Sequence, residues 1–127
     1  QEGVTKLWYN NGQLKREIHF QKGGKQGLDR YFSPKGTPLE EGYYKGHMRY
    51  KSYTTWYLSG QKQQELIYHI APNLFDSKTW DKKGALIEEG VYDSKTKTYT
   101  KTRFNPEGEA VASIEGTWNG EEIVYEK

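Results

Sequence analysis

Aromatic and polar positions recur along the chain at a fixed interval of 24 residues. Each unit has a glycine preceded by an aromatic residue four positions earlier, and four units have a glutamate five positions after the glycine. A self-similar period of this length indicates a repeat architecture. The glycines are Gly12, Gly36, Gly60, Gly84 and Gly108; the aromatic residues, here called the ladder, are Trp8, Phe32, Trp56, Trp80 and Phe104; the glutamates are Glu17, Glu41, Glu65 and Glu89, with Ser113 in the fifth unit.

The residues around each glycine are typical of a β-hairpin turn. Ser33-Pro34-Lys35-Gly36 and the equivalent residues 105–108 match a type I turn, in which Ser or Asn is favoured first, Pro second and Gly last. A glycine there can adopt a left-handed conformation and close the hairpin with a bulge. The flanking stretches are rich in β-branched and aromatic residues, as strands are. Residues 61–70 lack Gly and Pro, but their place in the repeat predicts a strand.

These features predict an all-β fold: an elongated single-layer antiparallel meander of five 24-residue β-hairpin repeats, with about ten strands and one domain over residues 1–127. Glycine-, Pro- or Asn-containing connectors, such as residues 21–27 and 69–73, are expected to link the hairpins. The expected cross-strand partners are Trp8 with Leu14, Trp80 with Leu86, Arg30 with Glu40 and Lys78 with Glu88.

The composition is typical of a thin structure, such as one sheet with two partly solvated faces. Only 33% of the 127 residues are hydrophobic and the mean hydropathy is -1.06, whereas 15% are aromatic and the net charge is only +2. The low hydrophobicity is typical of disorder, but the aromatic content and the balanced charge are not. The absence of cysteine excludes disulfides and thiol chemistry, and no apolar run is long enough to span a membrane. The first residue is Gln1, which is consistent with removal of a signal peptide or with trimming.

The ladder has two interpretations, and the first is favoured. In a single-layer repeat the five rings are expected to form the core, since each ring can remove about 150–250 Å² from water. Alternatively, the rings form a platform for a sugar or a peptide. The neighbouring tyrosines are expected to be more exposed than the ladder itself. The candidate binding residues are Tyr9, Tyr57, Trp56 and Trp80.

The titratable residues predict neither catalysis nor a metal site. Equivalent glutamates two strands apart lie about 9–10 Å from each other, but catalytic carboxylates occur once and in unlike environments. We therefore expect the glutamate column to pair with lysine or arginine. His19, His47 and His69 have no metal-ligand spacing. Lys22, Lys25, Lys95, Lys97 and Lys101 form basic patches that are expected to serve solubility and to protect the sheet edges; the alternative is attraction of lipid or nucleic-acid phosphates. The sequence predicts no catalytic residue, metal or cofactor.

The repeat resembles the bacterial variant of the MORN repeat. That pattern reads roughly Y-x-x-G-x-L-x-x-E, Y-x-x-G and G-x-x-x-x-Y-Y. The two first units match best, the next two keep fewer positions and the fifth is looser. The matched positions are Tyr9, Gly12, Leu14, Glu17, Phe20, Gly23, Gly27, Tyr31, Gly36, Leu39, Glu41, Gly42, Tyr44 and Gly46, then Trp56, Tyr57, Gly60, Glu65 and Tyr68, then Trp80, Gly84, Leu86, Glu89, Gly90 and Tyr92.

The resemblance implies a non-catalytic interaction module that binds a protein, as a scaffold or as an antitoxin. It also implies a bacterial protein outside the cytoplasm, in the periplasm, at the surface or secreted, with a cytoplasmic location still open. The alternative is a secreted or envelope protein that binds carbohydrate or lipid head groups. The near-balanced charge disfavours nucleic acid as a partner. The oligomeric state is open.

Overall fold

The computed structural model describes residues 3–22 and 24–125, in which every regular element is a β-strand. Eleven strands form one sheet, and each strand pairs with its neighbours in sequence. The expected all-β hairpin meander is confirmed, with one strand more than the ten expected. Gly23 of the first connector, and residues 1–2 and 126–127 of the expected domain, lie outside the described residues. The strands are β1 (Gly3–Trp8), β2 (Leu14–Gln21), β3 (Gly24–Phe32), β4 (Pro38–Lys45), β5 (Met48–Trp56), β6 (Lys62–Tyr68), β7 (Phe75–Trp80), β8 (Leu86–Asp93), β9 (Thr98–Phe104), β10 (Ala110–Trp118) and β11 (Ile123–Tyr125).

The five repeat glycines lie in five turns along one edge of the sheet, here called the turn edge. In each turn the glycine N–H donates to the carbonyl three residues earlier at 2.9–3.0 Å. The residue that provides this carbonyl donates its own N–H to the residue after the glycine at 2.8–2.9 Å. All five glycines have φ between 86° and 95°, a range that residues with a Cβ rarely adopt. The geometry agrees with the expected glycine-bulge hairpin.

A bulge in each of these hairpins shifts the strand register by one residue. The resulting partners are Trp8 with Leu14, Trp80 with Leu86, Arg30 with Glu41 and Lys78 with Glu89. The two ladder pairs were expected. The expected pairing of Arg30 with Glu40 and of Lys78 with Glu88 is wrong by one position, because the bulge adds one residue to the return strand. The shift places the glutamate column opposite basic residues.

The connectors lie along the opposite edge, here called the connector edge. The shortest fully described connector is Gly46-His47, in which both residues have positive φ, 61° and 74°. This is the geometry of a two-residue turn that matches the twist of the strands. The connector between β6 and β7, residues 69–74, is longer and ends in Leu74.

The two faces of the sheet carry different residues, because successive side chains on a strand alternate between faces. The face that we call the core face contains the cross-strand row Thr5, Ile18, Asp29, Gly42, Tyr53, Leu66, Ser77, Gly90, Lys101 and Ile114. The other face, which we call the ladder face, contains the row Lys6, Glu17, Arg30, Glu41, Thr54, Glu65, Lys78, Glu89, Thr102 and Ser113. The ladder and the glutamate column therefore share one face.

The buried hydrophobic side chains do not belong to the ladder. They are Ile18, Tyr53, Leu66, Leu74, Tyr92, Tyr99 and Trp118. The expectation that the ladder forms the core is wrong: Trp8 is 58% exposed and the other four rings are half-buried. Four units have a second ring eight residues after the glycine, and the last of these, Tyr92, is buried on the core face, as is Trp118, ten residues after Gly108. A sheet of one layer has two candidate inner faces, and its curvature determines which one is enclosed.

The sheet curls around its core face in the C-terminal half. The Asn73 side-chain amide donates to the Glu121 carbonyl oxygen at 2.8 Å, although the strands that flank these loops are several positions apart in the sheet. Inside this bend Leu74, fully buried, packs with Tyr92, Tyr99 and Trp118. The bend thus builds the main apolar cluster and leaves the core face concave.

Candidate interaction surfaces

The ladder face carries two partly exposed apolar strips, one formed by the ladder and one by Val4, Ile67 and Val91, with the charged row of Lys6 and Glu17 between them. Trp8 is its most exposed ring, and Val4, Ile67 and Val91 on the same face are 49%, 44% and 46% exposed. Because equivalent strands of successive hairpins lie about 9–10 Å apart, the rings recur at that spacing along the sheet. Trp56 and Trp80, two of the candidate binding residues, are half-buried members of this row. A ligand on this face would meet a regular series of ring edges.

Tyr9 and Tyr57, the other two candidates, link neighbouring turns. Tyr9 Oη donates to the carbonyl oxygen of Phe32 at 2.7 Å, and Tyr57 Oη donates to that of Trp80 at 2.8 Å. Both side chains are half-buried, so Tyr9 is less exposed than Trp8, contrary to the expectation that the tyrosines would be the more exposed. Their hydroxyls hold neighbouring turns together through these hydrogen bonds, so only their rings are available for contact with a partner.

The five turns are of two types. Gln13 and Gln61 follow the glycines of the first and third units, and each amide donates to the next carbonyl at 2.9 Å. In the second, fourth and fifth units the residue after the ladder is Ser33, Asp81 or Asn105, whose side-chain oxygen accepts two backbone N–H groups of its own turn. The two types alternate over the first four units with a period of two hairpins, or 48 residues, the separation of Tyr9 and Tyr57, and the fifth unit repeats the second type.

Two of the four carboxylates of the glutamate column, those of Glu17 and Glu65, have basic partners. Glu17 Oε1 accepts from Arg30 Nη2 at 2.9 Å, and Glu17 Oε2 lies 3.0 Å from His19 Nε2. The hydrogen bond from Arg30 lowers the pKa of Glu17 against the opposing effect of burial. Glu65 pairs with Lys62 at 2.8 Å. These contacts are those expected of carboxylates that stabilise the sheet.

The core face carries an ion cluster in its N-terminal half that the sequence reading missed. Asp29, only 5% exposed, accepts from Arg16 Nη2 and from Lys25 Nζ, both at 2.9 Å. Burial would raise the pKa of Asp29, but these hydrogen bonds outweigh it and the pKa is lowered. The Arg16 guanidinium also lies 4.5 Å from the centre of the Tyr31 ring. Buried polar groups of this kind hold one side-chain arrangement in place.

A second polar network lies beside it and involves Tyr53. Its hydroxyl donates to Glu40, and the Arg49 guanidinium lies 3.7 Å from the centre of its ring. Burial and the Glu40 carboxylate raise the pKa of Tyr53. Tyr53 faces Gly42, where an added Cβ would come within 2.9 Å of the ring. An isolated glycine within a strand is the sequence signal that could have indicated a ring packed against the backbone.

The histidines and lysines are distributed as single residues. His69 Nε2 lies 2.9 Å from Asp76 Oδ1, and His47 is an exposed turn residue. Residues 3–22 and 24–125 contain no group of three or more His, Asp or Glu side chains arranged to hold a metal ion. Lys25 bonds to Asp29, and Lys101 lies 3.5 Å from Glu88. At least part of the expected basic surface is therefore used in ion pairs.

In comparisons with known proteins, no family model and no curated protein matches the chain. The functional interpretation therefore depends on the residues and their geometry. The described part of the chain also contains no helix long and apolar enough to cross a membrane.

Proposed function

We propose that the protein is a non-catalytic interaction module whose partner is another protein, bound on the ladder face. The observation that carries this proposal is the partly exposed apolar strip that the ladder forms across the strands with partners such as Leu14 and Leu86; Val4, Ile67 and Val91 form a second exposed strip beyond the charged row. Exposed apolar surface that is contiguous over several elements is typical of interaction sites. The resemblance to MORN repeats supports the same role, as a scaffold or an antitoxin, in the periplasm, at the surface or secreted from a bacterium.

The charges beside the ladder favour a protein over a phosphate-bearing partner. From Lys6 to Glu89, the row next to the rings has three basic and four acidic residues and no two like charges side by side, as where Lys6 lies opposite Glu17 and Lys78 opposite Glu89. Such a row attracts neither polyanions nor polycations over its length. It does provide charge pairs that can fix the position and orientation of a partner whose surface charges alternate in the same way.

A non-catalytic role is supported by the ion pairs that the glutamate carboxylates make. A general acid and a base need unlike environments that separate their pKa values. In the glutamate column, Glu17 and Glu65 are both held by basic neighbours. Their geometry fits a structural role better than proton transfer.

Two similarly exposed isoleucines on opposite faces provide a matched test. Ile67 is on the ladder face and 44% exposed, whereas Ile114 is on the core face and 53% exposed. We would immobilise wild type, Ile67→Lys and Ile114→Lys, verify that each is folded by circular dichroism, and quantify captured proteins by mass spectrometry. The affinity of each enriched protein would then be measured by calorimetry after purification.

The expected result is a partner that binds wild type and Ile114→Lys equally, and Ile67→Lys at least about 10-fold more weakly, since a charge at an apolar contact costs upwards of about 1.4 kcal/mol. A partner lost from Ile114→Lys and kept by Ile67→Lys would place binding on the other face. If no protein is enriched by folded wild type, the proposal is wrong.

A further inference from the structure

The concave core face contains a cleft of about 330 Å³ in its C-terminal half. Strands β6 to β9 form its floor, and β11 forms one wall. The cleft is on the opposite side of the sheet from the ladder, so it is independent of the proposed protein-binding surface. Its volume is at the lower end of the range of small-molecule sites, which limits an occupant to one or two small rings.

Three polar side chains line the floor: Gln64 on β6, Glu88 on β8 and Lys101 on β9. Glu88 Oε1 lies 3.5 Å from Lys101 Nζ, and Glu88 Oε2 lies 3.6 Å from Arg103 Nε. These separations are longer than hydrogen bonds. The ion pair is therefore loose, and a ligand can bind between its members without first breaking a short bond.

Apolar groups complete the lining. Phe75 lies on β7, and Ile123 and Tyr125 lie on β11. Tyr125 is 45% exposed, so part of its ring is free for stacking. The cleft thus combines an aromatic surface with an amide, a carboxylate and an ammonium group.

The cleft is held open by the fold. Ser77 and Tyr99 at its base are both buried. The bond from Asn73 to the Glu121 carbonyl fixes the 69–74 loop to the turn before β11. A ligand would therefore find a formed site, and little of its binding free energy would be lost in ordering the protein.

The mixture of groups restricts the chemistry of the occupant. An apolar molecule would cover the Glu88 carboxylate and the Lys101 ammonium without offering either a hydrogen bond, which is unfavourable. An anion between them would lie beside the Glu88 carboxylate and a cation beside the Lys101 ammonium, so a singly charged ligand always meets one like charge. A neutral molecule with several hydroxyl groups can donate to the carboxylate, accept from the ammonium and do both with the Gln64 amide. A sugar ring has these hydroxyls on its edge and an apolar C–H face for an aromatic side chain.

We infer that this cleft is a binding site for a neutral sugar unit, with Gln64, Glu88 and Lys101 bound to its hydroxyls and Tyr125 packed on its ring. The inference does not require the proposed protein partner.

The test is a titration of the ¹⁵N-labelled 127-residue protein, followed by two-dimensional NMR. The probes are glucose, galactose, mannose, N-acetylglucosamine and their common disaccharides, with glycine and phenylalanine as zwitterionic competitors for the same charges. We expect at least one saccharide to bind in the millimolar range or tighter, with shifts confined to the amides around Gln64, Glu88 and Lys101. Neither amino acid should produce these shifts.

Adjacent glutamates on opposite faces provide the matched variants. Glu88→Ala should weaken saccharide binding at least about 10-fold, because hydrogen bonds to charged groups are the stronger ones. Glu89→Ala, on the ladder face, should bind like wild type, and so should Ile67→Lys. Gln64→Ala is a second variant for the case that Glu88→Ala does not fold. The inference is overturned if no saccharide shifts the cleft amides, if an amino acid binds there instead, or if Glu88→Ala and Gln64→Ala bind like wild type.

Discussion

Replacing Gly90 with alanine tests the packing of the curled core. Gly90 lies on the core face of β8, and a Cβ added there would come within 2.1 Å of Tyr99 Oη and 2.9 Å of both Tyr99 Cζ and Ser77 Oγ. Ordinary contacts between such atoms are about 3.5–4.0 Å. Tyr99 is 5% exposed and packs with Trp118, so its ring has little room to move. The added methyl group therefore forces a shift in the core.

The magnitude follows from two opposing effects. Overpacking of a core costs about 1–3 kcal/mol, and the loss of backbone freedom in the unfolded chain returns about 0.4–1 kcal/mol. Gly90→Ala should thus lower the free energy of unfolding by about 1–2 kcal/mol. For a chain of this length the melting temperature should fall by roughly 4–8 °C. Thermal and urea unfolding followed by circular dichroism would measure both quantities.

Two further variants identify the cause. Tyr99→Phe removes the atom closest to the added methyl, so Gly90→Ala should cost at least about 0.5 kcal/mol less in that background. Gly24→Ala is the control, since its Cβ would meet only the exposed side chain of His47, at 3.1 Å from Nε2. It should change stability by less than about 0.5 kcal/mol. Equal effects of Gly90→Ala with and without the Tyr99 hydroxyl would refute the reasoning.

Three other perturbations have defined outcomes. Tyr57→Phe removes the bond to the Trp80 carbonyl and should lower the free energy of unfolding by about 0.5–1.5 kcal/mol in urea titrations; an unchanged midpoint would mean that water replaces the hydroxyl at no cost. The pKa of Asp29 is lower folded than unfolded, so its ion pairs stabilise the fold above about pH 4 and this contribution is lost as the pH falls through the folded pKa. Asp29→Asn should therefore be less stable than wild type at pH 7 and approach it in acid; a gap independent of pH would contradict this. Trp118→Ala should lower the free energy of unfolding by about 3–5 kcal/mol and Trp8→Ala by less than about 1.5 kcal/mol, as measured by calorimetry, because the first ring is buried and the second is exposed. Similar losses would mean that both faces are equally enclosed.

The residue types at each turn were sufficient to predict the hairpins. The turn at residues 33–36 has the residue order that a type I turn needs, and Gly36 has the left-handed φ of 92° that closes it. The bulge that follows moved the partner of Arg30 from Glu40 to Glu41. Turn residues predict that a bulge is present but not which position of the strand it occupies. The expected charged partners across the strands were therefore wrong by one residue.

The enclosed face could not be predicted from the period alone. Both faces carry rings at a 24-residue spacing, and the pattern does not distinguish a ring such as Trp56 from one such as Tyr92. Which of the two rings is enclosed depends on the curvature of the sheet. The hydrogen bond from Asn73 to Glu121, 48 positions apart in the chain, is part of that bend. The cleft depends on the same contact, since its wall on β11 meets its floor only after the sheet bends. Gly90, an isolated strand glycine, was the available signal for which side carries close packing.

The two alternating types of turn give the sheet unequal mechanical joints. Tyr9 fastens the first hairpin to the second, and Tyr57 fastens the third to the fourth, whereas Ser33 and Asp81 bond within their own turns. At the turn edge, the joints after the second and fourth hairpins therefore lack a tyrosine bond. Side chains on the core face link the strands there: Tyr53 bonds to Glu40 across the first of these joints, and Tyr92 packs with Tyr99 across the second. A load that spreads the turn edge would open its gaps after the second and fourth hairpins first, while the core face keeps the strands on either side of each gap together.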